Sequence, residues 1–235
     1  MDVFGKPFIS RQLNYLRDQG FNKIVICIGH YGDKIKNSLN ISYEFDRDFR
    51  DIKNYPLNGF RLNIQIEKTG IGIFNDINKW KASIYYSKYF EFKKQFYYSF
   101  TLLSYFSSKN QPYYLYENTD QLRGYEKYLI HGHSNLIYKN TLKKRIVSKN
   151  FNIEKMKFRK FKNIPINIYL KMFFDSGYVW KYSNKNQNIN LNNKYLHSFG
   201  IGLDFVTIKN LYITTELSRN SNKELNFSIN LGANF

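Results

Sequence analysis

The sequence predicts a mainly β fold, in which a partial, antiparallel transmembrane-type β-barrel of about nine strands follows a short α/β fragment. From Asn40 to the C-terminus, apolar and polar residues alternate with a period of two, as in strands with one apolar face. The connections between these segments alternate between short and long, which is typical of outer-membrane barrels. Aromatic residues make up 19% of the 235 residues, which fits the aromatic girdles of such a barrel.

The first region, 1–38, has the pattern of an α/β fragment. Pro7 opens a predicted helix that Gly20 ends, and the β-branched run 23–28 predicts a buried parallel strand. These residues, with the motifs Gly5-Lys6-Pro7-Phe8 and Gly29-His30-Tyr31-Gly32-Asp33, resemble the sugar-phosphate nucleotidyltransferases. The Gly-rich phosphate loop and the acidic metal ligands of that family have no counterpart here, so we expect a truncated, inactive fragment.

The second region, 39–235, contains the nine predicted strands. They lie near 40–49, 59–70, 78–91, 93–107, 135–148, 164–175, 197–207, 210–218 and 225–235. Strands of about ten residues cross a bilayer at a tilt of roughly 45°. A soluble sandwich also alternates, but the consecutive strands 78–91 and 93–107 are long for one. In a barrel we expect the following apolar residues to face lipid or an apolar outer belt: Leu211, Ile213, Phe227 and Ile229.

Several motifs of this region occur in a fixed order. They are Phe45-Asp46-Arg47-Asp48 with Tyr55-Pro56-Leu57-Asn58-Gly59, then Leu122-Arg123-Gly124-Tyr125, Phe173-Phe174-Asp175-Ser176-Gly177-Tyr178-Val179-Trp180, Gly200-Ile201-Gly202-Leu203 and the terminal Phe235. Together they resemble the C-terminal barrel of the BamA/TamA-type outer-membrane assembly proteins, also called bacterial surface antigens. The resemblance implies that the nine strands are the C-terminal half of a sixteen-stranded barrel.

The same resemblance implies a site inside the barrel. Leu122, Arg123, Gly124 and Tyr125 form the tip of a long inward loop, and Asp175 is the partner of Arg123 in the lumen. A charge in a narrow lumen needs a partner, an aspartate can accept two parallel hydrogen bonds, and a glycine allows a tight turn. The glutamate that such proteins carry on the strand after the loop is missing from 140–145. The alternative for Arg123 is an exposed arginine in a loop, and the alternative for Asp175 is an Asx turn at the end of its strand.

The terminal strand has two possible roles. By resemblance, Gly232 and Phe235 belong to a terminal assembly signal that helps to seam the barrel. Phe235 can equally be a terminal residue on the lipid face, and both readings are compatible.

Composition and charge bear on the other classes of function. Lys and Arg number 36 against 18 Asp and Glu, which invites a nucleic-acid partner. The basic residues are scattered, however, and coding DNA that is rich in A and T explains their number. We therefore predict no nucleic-acid partner. The single cysteine, Cys27, excludes a disulfide framework. His131 and His133 have no third ligand nearby, so no metal or other cofactor is expected. No catalytic set is present, and we predict no enzyme.

The function predicted by resemblance is insertion or export of outer-membrane proteins in the outer membrane of a Gram-negative bacterium. Its partners would be outer-membrane lipid, unfolded outer-membrane proteins and other subunits of an assembly machinery. Nine strands leave two open edges, which are costly in lipid, and 1–13 lacks a signal-peptide pattern, so we expect a fragment. Two alternatives stay open, a nucleotidyltransferase fragment and a basic β-protein that binds nucleic acid.

Overall fold

The computed structural model describes residues 2–3, 6–7, 40–69, 78–108, 117–118, 122–128, 130–152, 163–180, 191–208 and 211–233. Within these ranges the chain forms thirteen strands. They are β1 Asp2–Val3, β2 Lys6–Pro7, β3 Asn40–Asp48, β4 Gly59–Thr69, β5 Lys79–Lys93, β6 Phe96–Ser107, β7 Glu117–Asn118, β8 His131–Gly132, β9 Ser134–Asn152, β10 Asn163–Trp180, β11 Tyr195–Ile208, β12 Leu211–Asn220 and β13 Leu225–Ala233.

Nine of these strands form one antiparallel sheet in the order β13-β12-β11-β10-β9-β6-β5-β4-β3. They are the nine strands predicted from the alternation, and the mainly β, partial-barrel class is confirmed. The turn between the predicted strands 78–91 and 93–107 lies slightly later than their bounds imply, at 94–95, where Gln95 has a φ of 68°. No helix within the described ranges could span a membrane.

The outer face of the sheet is apolar and exposed. Phe227 is 66% exposed, and Ile229 and Ile213 are exposed as well, while Leu211 is half-buried. A two-sheet sandwich would bury these side chains between its layers. Within the described ranges no second large sheet covers them, so the sandwich alternative is wrong for this chain.

The inner face carries the buried polar groups, which inverts the pattern of a soluble protein. Asp175, Asp204, Lys171 and Glu216 all project from this face and are all buried. Lys139 of β9 faces Asp175 of β10 in register. Since buried charges need partners, these residues depend on one another and on the connections that fold over them.

Two glycines of β11 make room for large side chains on the inner face. A Cβ at Gly200 would lie 2.5 Å from the ring of Phe173, and one at Gly202 would lie 2.8 Å from Cε of Lys171. These contacts follow from the strand register, in which Phe173 pairs with Gly200 and Lys171 pairs with Gly202. Both large side chains can therefore lie across β11 toward β12.

At the N-terminus, β1 and β2 pair with each other. Pro7 lies in β2, so the prediction that Pro7 opens a helix is wrong. Within sheets, proline is found mainly at edge strands and at the first residue of a strand, because it cannot donate to the ladder. The rest of the predicted helix, the run 23–28 and Phe235 lie outside the described residues, and the nucleotidyltransferase resemblance stays a prediction.

Candidate functional site

Arg123 and Asp175 form a two-pronged ion pair on the inner face. The Arg123 Nε donates to Asp175 Oδ2 at 2.7 Å, and Nη2 donates to Oδ1 at 2.6 Å. Nη2 also donates to Thr141 Oγ1 at 3.0 Å, and the guanidinium carbon lies 3.9 Å from the ring centre of Phe173. Asp175 is fully buried, at 0% exposure. The structure thus brings together the two residues that the resemblance pairs.

A second carboxylate reaches Arg123 from β12. The Arg123 Nη1 lies 3.4 Å from Glu216 Oε1, and Glu216 is buried. The sequence analysis considered an acidic partner only on the strand directly after the loop, where none is present, and did not identify Glu216. The alternation of β12 does contain the signal, because Ile213 and Leu217 point outward and Glu216 therefore points inward.

The tip of the inward loop is held through the backbone of Gly124. Its carbonyl oxygen accepts from Asn220 Nδ2 at 3.0 Å and from Asn226 Nδ2 at 2.8 Å. Gly124 has a φ of +84°, and an added Cβ would lie 3.1 Å from Cβ of Ser198. A glycine is required here because the left-handed conformation and the close approach both disfavour a side chain.

Apolar residues of the loop form a small core against the inner face. Leu122, Tyr125 and Ile130 are almost completely buried. They pack against the following residues of β9, β10 and the segment before and at the start of β11: Ile137, Val179, Leu191 and Leu196. Burial of side chains of this size contributes roughly 1.5–3 kcal/mol each. The hydroxyl of Tyr125 lies 2.6 Å from Oγ of Ser221, so the loop is also tied to the β12–β13 connection.

A second connection reaches the inner face from the other end of the strands, opposite the end at which the inward loop lies. It joins β3 to β4 over 49–58, and its Tyr55 is 6% exposed. The Tyr55 hydroxyl donates to Asp204 Oδ2 at 2.7 Å, and Lys143 Nζ lies 3.9 Å from the ring centre. Burial, together with the nearby Asp204 carboxylate, raises the pKa of Tyr55, which keeps its hydroxyl protonated as a donor.

Lys171 links the two connections. Its ammonium lies 2.6 Å from Asp204 Oδ1 and 2.8 Å from Glu216 Oε1. A continuous chain of polar contacts therefore runs from Tyr55 through Asp204, Lys171 and Glu216 to Arg123. Each buried charge in this chain has an opposite charge as its neighbour, which offsets the cost of removing it from water.

Comparison with known protein families matches residues 9–235 to the Omp85 superfamily domain. The chain belongs to the Omp85 superfamily. This superfamily comprises outer-membrane proteins of assembly and translocation, associated with the outer membrane of Gram-negative bacteria. Comparison with curated proteins found no match. The Omp85 match contains the whole nine-stranded sheet, the inward loop and Asp175.

The loop of this Omp85 domain has one further anchor, at the β12–β13 connection. The hydroxyl of Tyr128 donates to Glu224 Oε1 at 2.6 Å, and Asn220 Nδ2 donates to Glu224 Oε2 at 2.9 Å. The hydrogen bond from Tyr128, and to a smaller extent the one from Asn220, holds the pKa of Glu224 below its usual range. The same contact raises the pKa of Tyr128. The anchor therefore depends on an ionised Glu224.

The remaining predicted site residues of the Omp85 domain are in the terminal strand and at the histidines. Gly232 pairs with Tyr212 on β12, and the Tyr212 ring occupies the space that a side chain at 232 would need. That ring packs against Tyr55, with 5.4 Å between centres. Phe235 lies outside the described residues. Within them, no group of His, Cys, Asp and Glu is arranged to hold a metal ion, at His133 or elsewhere.

Proposed function

We propose that this Omp85 domain takes part in the insertion or export of outer-membrane proteins, as the BamA/TamA-type proteins do. The observation that carries the proposal is the inward loop, whose Arg123 is paired with a fully buried Asp175 behind an apolar outer face. Such an arrangement supports a rigid wall that meets lipid on one side and holds a loop on the other. Its partners would be outer-membrane lipid, unfolded outer-membrane proteins and other subunits of an assembly machinery.

The proposed work involves no bond chemistry. The carboxylates of the site are paired within the protein, Asp175 with Arg123, Asp204 with Lys171, and Glu216 with both cations. A general acid or base instead needs a group that can exchange protons with a substrate. The saturation of this network supports a structural role for it.

The edges of the sheet supply the proposed means of action. β3 and β13 are the two end strands of the nine-stranded sheet, and among the described strands each pairs with only one neighbour. In lipid an unpaired backbone group costs several kcal/mol, so these edges favour pairing with further strands. We propose that the chain is part of a larger barrel and that an edge receives strands of a client protein.

The test is assisted folding of a client in lipid vesicles. The full chain is reconstituted in vesicles, an unfolded outer-membrane barrel is added, and its folding is followed by heat-modifiable gel migration. We expect faster folding than in vesicles that contain an unrelated barrel, and a loss of most of this gain with Arg123→Ala. The matched control is Arg61→Ala, which removes an arginine from an exposed pair with Asp46. Equal rates with this chain and with the unrelated barrel would refute the proposal.

A further inference from the structure

Beside Arg123 the inner face contains a cavity of about 360 Å³. Four basic side chains line it: Arg123, Lys139, Lys143 and Lys171. Every other residue of its described wall is a serine, threonine or tyrosine, and therefore carries a hydroxyl group. No acidic residue belongs to that described wall. A cavity lined in this way is too polar for an apolar ligand and suits an anion.

The acids near the cavity are already occupied by other cations. Both oxygens of Asp175 accept from Arg123. Asp204 and Glu216 lie 2.6 and 2.8 Å from the ammonium of Lys171. Within the described residues, three buried carboxylates thus face four cations, and the surplus positive charge is left on the side of the cavity.

Lys139 carries this surplus. It is half-buried and stands opposite Asp175 in the register, but the Asp175 oxygens are turned to Arg123. Within the described part of the chain, no hydrogen bond or ion pair joins its ammonium to another residue. A further loop acid, Glu126, is exposed and accepts the N–H of Gly124. A partly desolvated ammonium in this position is stabilised by an added anion.

We propose that this cavity binds an oxyanion, a carboxylate or phosphate group, with Lys139 as its main ligand. Lys143, which lies 3.5 Å from Asp204, supplies a second, weaker positive charge. Thr141 accepts from Arg123, so its own hydroxyl proton is free to be donated to the anion. Thr101 is the register partner of Lys139 and brings another hydroxyl to the same row. Charge-assisted hydrogen bonds of this kind are about twice as strong as neutral ones.

Two sources can supply such a group in an outer membrane. The observations favour an acidic side chain of a polypeptide, because the cavity lies on the inner face and the apolar face that meets lipid is the opposite face of the sheet. The phosphate of a lipid headgroup is the other outcome that the test distinguishes. The proposal is independent of the assembly function, since a site of this kind can fail while client folding is retained.

The test is calorimetric titration of the full chain, folded in neutral detergent micelles at low ionic strength. One arm uses inorganic phosphate, and the other uses a short peptide with two aspartates and blocked ends. Lys139→Gln should weaken binding at least about tenfold, which corresponds to about 1.4 kcal/mol. The matched control is Lys144→Gln on the same strand, because Lys144 is exposed on the opposite face. This control should stay within about twofold of the parent.

Binding in both arms, or in one of them, supports the site and identifies the source that it accepts. Absence of binding in both arms overturns the proposal, and so does an equal affinity of the Lys139→Gln and Lys144→Gln variants. If Lys139→Gln does not fold, Thr101→Val replaces it, since this change keeps the shape and removes one hydroxyl. We expect about threefold weaker binding for that variant, and an unchanged affinity would count against the site.

Discussion

Replacement of Arg123 by alanine tests whether the ion pair with Asp175 holds the inward loop. The change removes two short hydrogen bonds and leaves a carboxylate that is 0% exposed without its main partner. Breaking a buried pair in this way costs about 3–5 kcal/mol. Lys139 faces Asp175 in register and can approach it once the guanidinium is gone. We therefore expect a loss near the lower limit, about 3 kcal/mol, in the free energy of unfolding.

Two further variants separate charge from geometry. Arg123→Lys keeps the positive charge but cannot form both parallel bonds, so its loss should be about half as large. Asp175→Asn should cost about as much as Arg123→Ala, because it removes the charge that the guanidinium needs. The double variant combines Arg123→Ala with Asp175→Asn and leaves neither charge without its partner. Its loss in the free energy of unfolding should be smaller than the sum of the two single losses by about 2 kcal/mol or more.

The assay is equilibrium unfolding by urea of the protein folded in lipid vesicles, followed by tryptophan fluorescence. Trp180 is a suitable reporter, because it ends β10, the strand that carries Asp175. Arg61→Ala is the control, since Arg61 and Asp46 form the same two-pronged pair with side chains that are 33% and 37% exposed. Its effect should be much smaller. Additive single losses in the double variant, or equal losses for Arg61→Ala and Arg123→Ala, would refute the reasoning.

Three other changes test the surrounding structure. Gly200→Ala should lower the free energy of unfolding by about 1–3 kcal/mol, because the new Cβ would lie 2.5 Å from the ring of Phe173. The control Gly177→Ala should cost less, because its new Cβ would have its nearest neighbour at 3.3 Å, and the urea midpoints of the two variants measure this difference. Tyr55→Phe should cost about 1 kcal/mol, because Asp204 loses one donor but keeps Lys171; an unchanged midpoint would contradict this role. The hydrogen bond that lowers the pKa of Glu224 stabilises the folded state only while the carboxylate is ionised. Loop protection in hydrogen exchange should therefore be full above the ordinary glutamate pKa and fall as the pH drops through the lowered pKa, and Glu224→Gln should abolish this dependence.

The strands could be predicted from the sequence because a local property determines them. In a sheet that faces lipid on one side and a polar interior on the other, the strands alternate, and the alternation is clearest in 164–170, 198–205, 211–218 and 226–235. The same rule identified the outward residues Ile213, Phe227 and Ile229, which are exposed. The ordered motifs then singled out Arg123 and Asp175, although neither residue is distinctive by itself.

The partners in the interior could be predicted only in part. Glu216 lies two strands beyond β10, and nothing local to the sequence indicates that a loop residue from before β9 reaches it. Tyr55 lies between the predicted strands 40–49 and 59–70, where the sequence pattern indicates no contact, yet its hydroxyl donates to Asp204, which is 149 residues away along the chain. Such pairings depend on strand register and on where two connections fold, which local pattern does not encode.

The sequence by itself thus determined the class of sheet, the number of its strands and the face that each side chain occupies, since period-2 alternation is a property of neighbouring residues. The tertiary structure decided which buried charges meet. The network of polar contacts from Tyr55 to Arg123, and a Lys139 that has no ion pair within the described residues, both result from contacts between distant strands and between their two ends. In that interior, a few ångströms separate a neutralised carboxylate from a cation that is left to bind an anion.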